Sequence, residues 1–215
     1  MHTSLREALA ALHSRFDTDQ LAERYSAAAK LVSDEERRRA RQIGDRVPPF
    51  SLNHPENGRI LSTELLDQGP LVVNFYRGLW CSYCQKDLLG VEEAFPAIRD
   101  AHSSVIAVTQ GLNSEVRVAL KQTAPLSFPI IDDTDGVIAE QFGLRWSVSD
   151  VDMIDAEMGM DLVSFRGTRP WILPMQARYL MRQDGIIAFV NVAFDYDQRT
   201  EPAAILPALS RLTAT

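Results

Sequence analysis

The chain has 215 residues, of which 46% are hydrophobic and 24% charged, an ordinary globular balance with room for one full-sized domain and an accessory segment. Its formal net charge of −7 argues against non-specific binding to nucleic acid or to an anionic membrane surface. No apolar stretch approaches the roughly 18 residues of a membrane span, and residues 1–16 lack the unbroken apolar core of a secretory signal, so a cytoplasmic protein is expected.

Residues 1–46 read as a helical arm. Leu5, Leu9, Leu12 and Phe16 recur at helical spacing, as do Leu21, Tyr25, Ala28 and Val32. Ser33-Asp34-Glu35-Glu36 has the form of a capped start to a short third helix, and the mixed charges of residues 34–41 suit a solvated face. Pro48 and Pro49 end the arm. A buried strand is expected over 71–76, a helix over 82–99, a strand over 104–108 and a helix over 113–123. A third strand over 128–131 is followed by a short helix ending near Gly143. Residues 145–172 show no clean period and read as an insertion. Ala177–Met181 and Ile186–Val192 flank Gln183-Asp184-Gly185, the signature of an antiparallel hairpin, and a helix over 201–212 closes the chain. Strands alternating with helices, then a hairpin, give an α/β sandwich with a mixed sheet.

Both cysteines lie in the stretch FYRGLWCSYCQKDL, residues 75–88. A zinc site needs four ligands, and His2, His13, His54 and His102 show no paired spacing. Two inert buried thiols are the bland alternative. A redox pair has a direct physical case. The first turn of a helix carries unpaired N–H groups and the positive end of the dipole, which favour a thiolate. Arg77 lies close by in sequence. Residues three apart share a helix face, so Cys81 and Cys84 can attack and resolve in turn. Trp80 and Tyr83 flank the sulfurs, either as an apolar collar for substrate or as helix-to-core packing.

Together with Val47-Pro48-Pro49-Phe50-Ser51-Leu52 upstream and Tyr179-Leu180-Met181 with Asp184-Gly185-Ile186-Ile187 downstream, this stretch resembles the peroxiredoxin-like branch of the alkyl hydroperoxide reductase/thiol-specific antioxidant (AhpC/TSA) family. The likeness covers about residues 44–213. It implies a thioredoxin-like, three-layer sandwich over 47–215 with the 1–46 arm added to it. The family's P-x-x-x-T-x-x-C pattern, laid on this chain without a gap, makes Cys84 the attacking cysteine, with Cys81 in place of the threonine and Arg77 in place of the proline. The thioredoxin pattern W-C-x-x-C instead matches Trp80 and Cys81, making Cys81 the attacker and Cys84 the resolver. The two registers assign opposite roles.

The family's strand arginine falls on Gln176, with Arg178, Arg166 or Arg169 as other sources of charge, although solvent exposure is the ordinary fate of such arginines. The resemblance implies a thiol-dependent peroxidase that takes hydrogen peroxide or an organic hydroperoxide and is regenerated by an external thiol of thioredoxin or glutathione type. No metal or organic cofactor is implied. A homodimer is compatible with the family and with the added helices. The alternatives are a protein disulfide reductase without special reactivity towards peroxide, and a non-catalytic module whose arm binds a partner.

Overall fold

The computed structural model describes residues 34–54, 58–78, 82–110, 126–133, 135–148, 171–194 and 200–214. The helices expected before residue 33 and over 113–123 lie outside these residues. The first described element, α1 (Asp34–Arg39), buries none of its residues fully. Its acidic residues fill the first turn and its arginines the last, in accord with the helix dipole, and Arg39 pairs with Glu35 at 2.7 Å.

The centre of the molecule is a five-stranded mixed sheet built from β3 (Leu71–Phe75), β4 (Ser104–Thr109), β5 (Ile130–Asp132), β8 (Gln176–Met181) and β9 (Ile187–Ala193), in the spatial order β5-β4-β3-β8-β9. The β3, β4 and β5 strands are parallel to one another, whereas β8 runs antiparallel to both β3 and β9. Every residue of β3 is buried, as an apolar central strand covered on both faces requires.

Alternation along the strands sorts the core into two layers. Leu71, Val73, Phe75, Ile106, Val108, Ala177, Tyr179 and Met181 face one side. There they meet Leu66 of α2 (Ser62–Gln68), Ile138 and Ala139 of α4 (Val137–Gln141), and Phe142. Phe75, Phe142 and Tyr179 pack ring to ring, with centroids 4.9–6.3 Å apart. Val72, Tyr76, Val105, Ala107 and Leu180 face the other side. They are covered by Leu88, Val91 and Ile98 of the 19-residue helix α3 (Ser82–Asp100) and by Ala208 and Leu209 of α5 (Leu206–Thr213). A 3-10 turn, Pro202–Ile205, leads into α5.

Three features depart from the sequence expectations or were not anticipated by them. The segment after Phe50 forms a small hairpin of β1 (Ser51–His54) and β2 (Gly58–Leu61) that leads directly into α2. Ser62 stitches the hairpin to the helix, its hydroxyl accepting from Phe50 N at 2.9 Å, while the Glu64 carboxylate accepts from Leu61 N at 3.0 Å. The ends of the expected insertion are not irregular. Arg145–Val148 (β6) and Trp171–Pro174 (β7) pair as an antiparallel ribbon, from Arg145↔Pro174 to Val148↔Trp171. Two four-residue strands so far apart in sequence leave no periodic trace, because the partner and not the local pattern makes them strands. The last helix expected from 201 begins instead as the 3-10 turn.

Residues 40–47 are tied into the sheet side of the molecule. Ala40 and Val47 sit in the first core layer, and Gly44 N donates to Ile187 O at 2.9 Å while Ile187 N donates to Asp45 O at 2.9 Å. The Tyr179 hydroxyl donates to Arg41 O at 3.3 Å, and burial raises its pKa well above the ordinary phenol value, so it remains a donor. At Gly143 the backbone has φ +67°, and a Cβ there would stand 1.9 Å from Arg39 O. A Gly143→Ala substitution is therefore expected to lower the unfolding free energy by roughly 1–3 kcal/mol in a chemical denaturation curve. An unchanged midpoint would show that residues 39–40 do not pack on this turn.

Candidate active site

The site lies between the first two turns of α3 and the start of β8. On a strand, residues two apart share a face at about 6.8 Å, and on a helix residues three apart share a face at about 4.5 Å of rise. Gln176 and Arg178 on β8 and Cys84 and Asp87 on α3 obey these two spacings, and the pairs meet rung by rung. The Cys84 thiol donates to the Gln176 side-chain oxygen at 3.6 Å, and Arg178 Nη2 donates to Asp87 Oδ1 at 2.5 Å.

All four side chains are enclosed. Cys84 has no accessible surface, and the Arg178 and Asp87 side chains expose 3% and 6% of theirs. Burial disfavours a thiolate at Cys84, while its place in the first turn of α3 favours one. A thiol that donates to a carbonyl oxygen is held in its neutral form by that bond. A buried guanidinium and carboxylate can share this layer with Leu88, Leu180 and Val72 only as a pair, since either alone would be an uncompensated charge.

Other polar groups share this face of the sheet. Asn74, which pairs with Arg178 across β3 and β8, is fully buried, and neither its amide oxygen nor its nitrogen has a hydrogen-bond partner. The same holds for the Thr109 hydroxyl, Asp87 Oδ2, and Arg178 Nε and Nη1. Each such group left without a partner costs about 1–3 kcal/mol. Six together would approach the whole stability of a typical domain, so this region is where internal water is expected.

The sequence candidates divide into three groups. Cys84, Gln176 and Arg178 come together, and Arg178 is not the exposed residue that its type suggests. Arg77 is also buried, at 2% exposure, and its guanidinium lies 5.2 Å from the ring centroid of Trp146 on β6. It thus ties the end of the β3 segment to the β6–β7 ribbon. Trp80, Cys81, Arg166 and Arg169 lie outside the described residues, and Tyr83 is placed only as a backbone position in α3. Sequence reasoning missed Asp87, Asn74, Thr109 and Trp146. Two of these carried a signal. Asp87 interrupts the apolar stripe of Cys84, Leu88 and Val91, and Asn74 is the one polar residue in the run 71–76.

The ion pair gives a direct test. An Arg178→Met variant that leaves Asp87 in place is expected to lose roughly 3–5 kcal/mol of unfolding free energy. The double variant Arg178→Met, Asp87→Leu should recover most of that loss. Equal destabilisation in the single and double variants would mean that the two charges are not coupled.

The AhpC/TSA family model matches residues 43–190. In solved structures the fold is similar to peroxidoxin BcpB from Mycobacterium tuberculosis, with a TM-score of 0.58 and 19% identity over 80% of this chain and 97% of that one. It is also similar to peroxiredoxin Q from Xanthomonas campestris, with a TM-score of 0.55 and 14% identity over 80% and 98%. By sequence, a 106-residue stretch is 26% identical to the thiol-disulfide oxidoreductase ResA of Bacillus thuringiensis subsp. konkukian, covering 48% of this chain and 58% of the relative. With a mixed sheet of thioredoxin type, a cysteine in the first turn of the helix after β3, and a family match across most of its length, the chain belongs to the AhpC/TSA family.

Proposed function

We propose that the chain is a thiol-dependent peroxidase that reduces hydrogen peroxide or an organic hydroperoxide through Cys81 and Cys84. The observation that carries this reading is the enclosed Cys84 thiol, hydrogen-bonded to Gln176 at the start of α3 and three residues from a second cysteine. An enclosed thiol with a hydrogen-bond acceptor is poorly placed to meet a substrate first. This supports Cys81 as the attacking sulfur and Cys84 as the resolving one. Cys81 immediately precedes the first helical residue, Ser82, where the unpaired N–H groups of the first turn favour a thiolate.

In the first step the Cys81 thiolate attacks one peroxide oxygen and the O–O bond breaks. The other oxygen leaves as water or an alcohol after taking a proton, and Cys81 becomes a sulfenic acid. In the second step Cys84 attacks the sulfenic sulfur, hydroxide leaves as water, and a Cys81–Cys84 disulfide forms. An external thiol donor of thioredoxin or glutathione type then restores both thiols by exchange. A cytoplasmic setting fits this cycle, because the reducing pool there resets the pair. Among the described residues no helix is long and apolar enough to cross a membrane.

The stretch shared with a relative named as a thiol-disulfide oxidoreductase favours a second reading, exchange with protein disulfides without special reactivity towards peroxide. Single variants separate the two. On the peroxidase reading, Cys84→Ser is expected to consume one equivalent of peroxide rapidly and stop as a sulfenic acid trapped by dimedone. Cys81→Ser should lose the rapid reaction entirely. If both variants react at the rate of free cysteine while the intact protein reduces insulin briskly, the exchange reading replaces the peroxidase.

A further inference from the structure

We infer that Gln176 sets the redox poise of the cysteine pair, holding it towards the dithiol and so making the disulfide easier for an external thiol to reduce. The inference rests on the dithiol reading above and adds to it the group that tunes the couple. The Cys84 thiol donates to the Gln176 side-chain oxygen at 3.6 Å, a separation that suits the larger radius of sulfur. Neither residue is open to solvent, Cys84 having no accessible surface and Gln176 only 4%. Among the described residues, this thiol is the donor that the amide oxygen has.

Oxidation removes that donor. A sulfur in a disulfide carries no proton and is a weak acceptor, so turning the amide to present its nitrogen replaces the bond with a poorer one. A buried amide oxygen without a donor carries a cost that an apolar side chain in the same place would not. Its neighbours offer no replacement. Met175 and Ala177 on either side of Gln176, and Ala193 opposite it on β9, are buried and apolar. The contact therefore stabilises the dithiol over the disulfide.

The nearby ion pair does not discriminate in this way. Cys84 is neutral at sulfur both as a thiol and in a disulfide, so the buried Arg178–Asp87 pair meets no change of charge there. The hydrogen bond does differ between the two states. In the reductive step two external thiols supply two electrons and two protons and end joined as their own disulfide. The Cys81–Cys84 bond breaks, and the proton taken up by Cys84 restores its bond to Gln176.

The test equilibrates the full chain with glutathione redox buffers and counts dithiol and disulfide by acid quenching, alkylation and intact mass. Gln176→Met keeps the length of the side chain and removes the amide. It should shift the equilibrium about tenfold towards the disulfide, which for a two-electron couple makes the reduction potential about 30 mV more negative. Gln176→Glu keeps an oxygen acceptor in either protonation state, and its potential should be no more negative than that of the intact protein. Because potential and folding stability are linked, Gln176→Met should also destabilise the dithiol form more than the disulfide form in denaturant unfolding.

Gln176→Leu serves if Gln176→Met does not fold. An unchanged potential in the variant that lacks the amide overturns the inference, with the dithiol left intact. An equal shift in the same direction by Gln176→Glu also overturns it, because packing rather than the acceptor would then set the potential. If the intact protein forms no Cys81–Cys84 disulfide in any of the buffers, the dithiol reading falls, and the role of Gln176 with it.

Discussion

A strand offset of two matched to a helix offset of three is the constraint on which the site depends. Gln176 and Arg178 can meet Cys84 and Asp87 only if β8 is locked in register against β3 and the first two turns of α3 lie directly over β8. The first condition is met by the run from Leu71↔Met181 to Phe75↔Ala177. The second is met by the apolar stripe of Leu88, Val91 and Ile98, which anchors the rest of the helix on the same face. A slip of one residue in β8 would turn Gln176 and Arg178 into the Phe75–Phe142–Tyr179 layer. The polar rungs thus stand at the end of a long apolar zipper that leaves them no freedom.

On the proposed peroxidase reading, the enclosure of Cys84 suits it to the resolving role. Cys84 has no accessible surface, donates to Gln176 and lies one helical turn from the buried Arg178–Asp87 pair. An enclosed thiol of this kind is shielded from stray oxidation. The Arg77–Trp146 contact adds a second anchor at the opposite end of the turn, fastening the residues after β3 to the β6–β7 ribbon.

Much of this was legible in the chain. The β3 run, α3 and the β8–β9 hairpin were readable because each is long, apolar and periodic, and Gly185 marks the turn between β8 and β9 with φ +78°. The β1–β2 hairpin and the β6–β7 ribbon were not readable, because four-residue strands are defined by partners rather than by their own pattern. Within the site the cysteines were found through their spacing at a helix start, and Gln176 and Arg178 through the family register, Gln176 as a departure from that register and Arg178 as a spare charge. The alternation of Ala177, Tyr179 and Met181 places Gln176, Arg178 and Leu180 together on the other face. On a strand covered from both sides, that alone buries the arginine and demands a carboxylate opposite it. Asp87 was visible as the charged residue in an apolar stripe. The sequence does not say which carboxylate answers which arginine, because that choice is made by the packing of α3 over β8.

The most direct test of the account is the reaction of the fully reduced intact protein with one equivalent of hydrogen peroxide, followed in time and ended by thiol counting and intact mass. The account predicts a reaction orders of magnitude faster than that of free cysteine. It should end with no titratable thiol and a mass loss of two hydrogens, the signature of a Cys81–Cys84 disulfide. A reaction at the free-cysteine rate, or a product that retains a thiol beside an oxygenated sulfur, would contradict it.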